Sequence, residues 1–127
     1  MSWLTARHST DAGAERLWRA FTTTELAEWF WPQGFETVVS IDPRVGGEYR
    51  VSSEPMGMAV SGTFTAVEET STLAFTWRWD GEDVETSVVI TIEDGAVTVT
   101  HGGFATEKAR DDHIQGWNDC LERLPAQ

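Results

Sequence analysis

The chain has 127 residues, 40% of them hydrophobic, and carries 21 acidic against 9 basic side chains, a net charge of −12. Its length points to a single domain, 1–127, able to bury a core without covalent staples. The charge speaks against nucleic acid, whose phosphates need a basic surface, and against an anionic membrane face.

One cysteine, Cys120, leaves no internal disulfide to expect. No apolar run nears the roughly 20 residues of a membrane span, and the opening "MSWLTARHSTDAGAERLW" lacks a signal peptide's apolar centre. A cytoplasmic location is the resulting expectation. Seven tryptophans in so short a chain crowd either a core or a ligand pocket, because each joins a large apolar body to one N–H that must be satisfied.

In chain order, "WLTARHS" (Trp3 to Ser9) reads as a strand. Ser9, Thr10 and Asp11 offer N-caps for "AGAERLWRAFT", where Leu17, Trp18 and Phe21 recur at helical spacing. Thr24 is the expected cap of a second short helix, "ELAEWFW", stopped by Pro32 and Gly34. The period then changes from 3.6 to 2. "FETVVSID" places Phe35, Thr37, Val39 and Ile41 on one face, and Gly46–Gly47 reads as a tight turn or bulge before "GGEYRVSS". "MAVSGTFTAVE" aligns Met58, Val60, Gly62, Phe64 and Ala66; "STLAFTWRWD" aligns Leu73, Phe75, Trp77 and Trp79. "VETSVVITIE" aligns Val84, Thr86, Val88, Ile90 and Ile92, and "AVTVTH" aligns Val97, Val99 and His101. Short turns such as "DGED" and "EDG" favour antiparallel hairpins.

Strands with one apolar and one polar face make a sheet that is wet on one side and must be covered on the other. The long amphipathic element left to cover it is the terminal helix, about Thr106 to Leu124, with the stripe Ile114, Trp117, Leu121 and Leu124. A single helix about 10 Å wide covers such a sheet only if the sheet curls around it, which leaves room for a cavity beside the helix.

The segments "AERLWRAFTTTELAEWFWP", "IDPRVGGEYR", "SGTFTAVEETSTLAFTWRW" and "HIQGWNDCLERL" resemble, in order, successive blocks of the heat-shock protein 90 ATPase-activator homologue family. That family belongs to the START-like, helix-grip (SRPBCC) superfamily, which also holds polyketide cyclases and plant pathogenesis-related allergens. The resemblance runs from about residue 10 to 124. It implies an α+β fold: a curved antiparallel sheet gripping a long C-terminal helix, with two short helices between the first two strands. It also implies a chaperone as a possible partner. The chain departs from the family's usual pattern at Trp31, where a small residue is common, and at Thr23 and Thr24, where Asp-Pro is frequent.

The aromatic residues lead the functional reading. Trp31, Tyr49, Met58, Phe75, Trp77, Trp79 and Trp117 are the candidate walls of a pocket, with His101 and His113 as polar tips able to orient a ligand. Such a pocket suits a small hydrophobic or amphipathic molecule. Cyclase or dehydratase chemistry using His101, His113 or Tyr49 is the alternative. No residue is assigned a catalytic role. Gly46–Gly47 lacks the setting of a phosphate loop, no nucleophile elbow occurs, and Cys120 and His113 sit too far apart on a helix to share a metal. No cofactor is expected. Glu48 and Arg50 share a strand face, outward as a surface pair or inward as ligand anchors.

Overall fold

Alternation along the strands sets the architecture. The computed structural model describes residues 2–127. Seven strands, β1 (Ser2–Ser9), β2 (Val38–Ile41), β3 (Glu48–Ser53), β4 (Met58–Glu68), β5 (Thr72–Trp79), β6 (Thr86–Glu93) and β7 (Ala96–Phe104), form one sheet. Their order is β1-β7-β6-β5-β4-β3-β2, so β2 to β7 form a meander and β1 adds to β7. Every pairing is antiparallel. Between β1 and β2 lie α1 (Ala14–Thr22), α2 (Leu26–Trp29) and a turn of 3-10 helix (Gln33–Phe35); α3 (Glu107–Leu121) closes the chain.

The inward rows are those the period-2 pattern marks. Leu73, Phe75 and Trp77 of β5, Thr86, Val88, Ile90 and Ile92 of β6, and Val97, Val99 and His101 of β7 are all buried. Glu48 and Arg50 point outward, and the Arg50 guanidinium clasps Asp80 through two bonds of 3.0 and 2.6 Å. The inward alternative for that pair is thereby removed. In β4 a bulge between Phe64 and Ala66 shifts the register, so that Val67, not Ala66, faces Leu73.

The covering layer has three helices rather than one. α3 lies against β1 and β7, α1 against β6, and α2 against β2. Leu17, Ala20 and Phe21 of α1, and Leu26 and Trp29 of α2, are buried in the same core as Trp117 and Leu121 of α3. The Trp29 indole N–H donates to the Ala20 carbonyl at 2.9 Å and fastens α2 to α1.

Several boundaries differ from the sequence reading, each for a local reason. None of Ser9, Thr10 or Asp11 caps α1. The helix starts after Gly13, and its first amide, on Ala14, donates to Asp94 Oδ1 at 2.8 Å from the β6–β7 turn. Thr24 caps nothing; Glu25 precedes α2 without a side-chain cap. β2 begins at Val38 because Glu36 takes a left-handed conformation, φ 49°, after the 3-10 turn. Val84 lies outside β6 and is exposed. α3 ends at Leu121, and Thr106 is its N-cap, accepting from the Ala109 amide at 3.1 Å. Gly46, with φ of 86°, makes the expected tight turn, and Gly47 then bonds back to Phe64.

Candidate ligand-binding cleft

The space inside the grip is divided in two. Deep between sheet and helices lies a void of about 30 Å³, walled only by apolar and aromatic side chains, Tyr49 and Phe75 among them. That volume holds a water or two at most, so the interior is nearly filled by its own rings. Outside it opens a cleft of about 370 Å³, within the range of small-molecule sites. Phe30, Trp77 and Trp117 border both spaces. Their ring centroids are 5.5–6.2 Å apart in all three pairs, which makes them the partition between void and cleft.

Of the residues singled out in the sequence, Trp31, Met58, Trp77, Trp79, His113 and Trp117 line the cleft. Trp31 lies nearly parallel to Trp79, with centroids 6.2 Å apart, so the residue that departs from the family pattern forms a wall of the opening. Tyr49 and Phe75 line the inner void, and His101 borders neither space. The sequence reading missed Phe30, Gly116, the α3 charges Asp112 and Asp119, and Arg123 just beyond that helix. Gly116 carried a usable signal. A mid-helix glycine weakens α3 by about 1 kcal/mol relative to alanine, and a Cβ there would touch nothing. Its lack of a side chain leaves the helix face open to the cleft.

Two histidine–tryptophan pairs brace the back wall. The Trp117 indole N–H donates to His101 Nδ1 at 3.0 Å. The His101 proton therefore sits on Nε2 and is given to Thr86 Oγ1 at 2.7 Å, whose own hydroxyl donates to the Trp77 carbonyl at 3.2 Å. Trp79 donates to His113 Nε2 at 3.0 Å, which places that ring's proton on Nδ1, 2.7 Å from the Ala109 carbonyl. The two imidazoles meet at 5.3 Å between centroids, yet every ring nitrogen is engaged. Burial, reinforced by His113, pushes His101 down to about 3. The Tyr49 hydroxyl donates to the Thr76 carbonyl at 2.6 Å, and burial, then Glu85, raises it far above the usual phenol range. Burial also raises the Cys120 thiol, as expected of an inert small hydrophobe.

The cleft's one basic side chain of the Lys/Arg type is spent. Arg123 donates to the Trp29 and Phe30 carbonyls at 3.0 and 2.9 Å and to Asp119 at 2.8 Å. One buried donor in the cleft wall, by contrast, is unspent. Trp77 Nε1, in a side chain only 5% exposed, has no hydrogen-bond partner, an omission worth about 1–3 kcal/mol. Among the described residues, no group of three or more His, Cys, Asp or Glu side chains is arranged to hold a metal, and no helix is long and apolar enough to cross a membrane.

An antiparallel sheet closed by a C-terminal helix, with short helices after its first strand and a cleft beside the closing helix, defines an α+β protein of the helix-grip class. The chain belongs to the family of activator of Hsp90 ATPase homolog 1-like proteins, whose model matches residues 11–127. Among solved structures it is similar to a protein from Chromobacterium violaceum, at 24% identity over 96% of this chain and 93% of that one, with a TM-score of 0.79. It is similar to an HSP90 activator from Plasmodium falciparum, at 19% identity over 96% and 92%, with a TM-score of 0.74. It is also similar to DynU16, a protein of the dynemicin biosynthetic locus, at 24% identity with a TM-score of 0.82; 98% of this chain covers 46% of that one. At these identities the likeness establishes the fold. A comparison with curated proteins gave no match.

Proposed function

We propose that this protein binds a small, uncharged, largely apolar molecule in the cleft between α3, β5 and the segment after α2, without transforming it. The observation that carries this reading is a cleft of about 370 Å³ walled by Trp31, Trp77, Trp79 and Trp117 and held open by Gly116. The charges support an uncharged guest. Asp112 and Asp119 line the cleft and Arg123 already donates to Asp119 and two carbonyls, so a carboxylate or phosphate would enter a site of net negative charge. The hydrogen bonds favour binding over the cyclase or dehydratase alternative. His101, His113 and Tyr49, its candidate acids and bases, already use their polar atoms on protein partners. A chaperone is the partner that the family's description suggests; the cleft's geometry has no bearing on it.

The test combines thermal shift and native mass spectrometry against a metabolite panel with the variant Gly116→Leu, whose side chain enters the cleft without meeting protein atoms at its Cβ. Wild-type protein is expected to gain thermal stability with at least one uncharged aromatic compound, and the folded variant to lose that gain. Unaltered binding by Gly116→Leu, or a panel in which nothing binds the wild type, would remove this reading.

A further inference from the structure

Resting on that reading, we infer that Trp77 determines specificity in the cleft: its indole N–H donates to a carbonyl oxygen of an otherwise apolar, uncharged ligand. Three neighbouring indoles already have acceptors. Trp29 donates to the Ala20 carbonyl, Trp79 to His113 and Trp117 to His101. Trp77 differs: its indole nitrogen is buried without a partner, in a residue only 5% exposed that borders both the inner void and the cleft.

Water does not answer the need. A buried water requires two to four polar partners, roughly, and the void beside Trp77 offers apolar walls and a Tyr49 hydroxyl already donated to Thr76. An oxygen carried on an apolar body requires the single donor that is there. Its chemical type follows from the surroundings. A ligand hydroxyl would bring a proton that the four imidazole nitrogens of His101 and His113, all engaged, do not accept. A carboxylate would face Asp112 and Asp119 with Arg123 already occupied. A ketone, lactone or quinone carbonyl meets neither obstacle, because it accepts one bond and carries no charge. The flat rings of Trp31, Trp77 and Trp79 favour a fused aromatic skeleton around that carbonyl.

The test uses three compounds on one ring skeleton: 9-fluorenone, 9-fluorenol and fluorene. Calorimetry on the wild type is expected to rank the ketone about tenfold tighter than the hydrocarbon and ahead of the alcohol. In ¹H–¹⁵N spectra the Trp77 indole resonance, identified by its loss in Trp77→Phe, should move downfield with fluorenone and not with fluorene. Trp77→Phe should bind ketone and hydrocarbon alike. Should that variant fail to fold, the wild-type affinity ranking of the three compounds decides the matter. Equal wild-type affinity for fluorenone and fluorene, or a ketone preference that survives in Trp77→Phe, overturns the inference and leaves the cleft reading standing. Failure of all three compounds to bind the wild type overturns the inference, while the metabolite panel and Gly116→Leu decide the cleft reading separately.

Discussion

At the scale of single residues, close approach decides more than chemistry does. Between the Ser61–Arg78 and Phe64–Phe75 pairs, the β4–β5 ladder is bridged by side chains: the Thr63 amide donates to Thr76 Oγ1 at 2.9 Å and the Tyr49 hydroxyl to the Thr76 carbonyl. A Cβ at Gly62 would overlap that carbonyl. At Gly102 the same addition would overlap the ring of Trp3, a side chain 48% exposed and able to swing away. Gly62→Ala is therefore expected to lower unfolding free energy by about 2 kcal/mol or more in urea titrations, and Gly102→Ala by less. Adding Trp3→Ala should erase much of the Gly102→Ala deficit and none of the Gly62→Ala deficit. Equal losses for the two glycines would contradict this ranking. The sequence placed Gly62 on the correct strand and face. It contained nothing to say that a neighbouring carbonyl would occupy the missing side chain's place.

At the scale of elements, the helices are anchored by groups distant in sequence. Asp94, from the β6–β7 turn, supplies the α1 cap, which is why the local candidates Ser9 to Asp11 were misleading. The chain just after α3 is tied by Arg123 to the Trp29 and Phe30 carbonyls at the end of α2, groups that the helix terminus leaves without partners. Arg123→Ala should therefore cost about 1–3 kcal/mol in denaturant unfolding, since it leaves buried carbonyls unpaired at the cleft's edge. Lys108→Ala, which removes an exposed i,i+4 pair with Asp112, should cost under about 0.5 kcal/mol. Similar losses for both would show that Arg123 acts only as a surface charge. The helices themselves were legible from apolar spacing, whereas their caps were not, because a cap needs one oxygen and any nearby loop can provide it.

At the scale of the whole molecule, two electrostatic effects oppose each other as pH falls. Protonation of carboxylates shrinks the net charge of −12 and its self-repulsion, which favours the folded state. His101 acts the other way. Its folded value, about 3, lies below the 6.5 of an unfolded chain, so the unfolded state takes up the proton first. The stabilisation it contributes is complete above about pH 6.5 and is lost as pH falls toward 3, at up to about 1.4 kcal/mol per pH unit. The difference between wild type and His101→Gln isolates this effect. In urea titrations from pH 7.5 to 4, the wild type should lose its advantage over the variant as pH drops. A pH-independent gap would mean that His101 is not the group titrating.

Sequence alone determined the strand rows, the helical stripes, the family resemblance and the abundance of indoles, because periodicity is a one-dimensional record of which face is buried. It also supplied six of the residues that line the cleft. Only the tertiary structure decided that the gripped interior is nearly full and that the usable space lies beyond Phe30, Trp77 and Trp117. Only the structure, likewise, separated the paired indoles of Trp79 and Trp117 from the unpaired one of Trp77. The reason is common to both: free volume and hydrogen-bond satisfaction depend on side chains brought together from different elements, and spacing along one element cannot encode them.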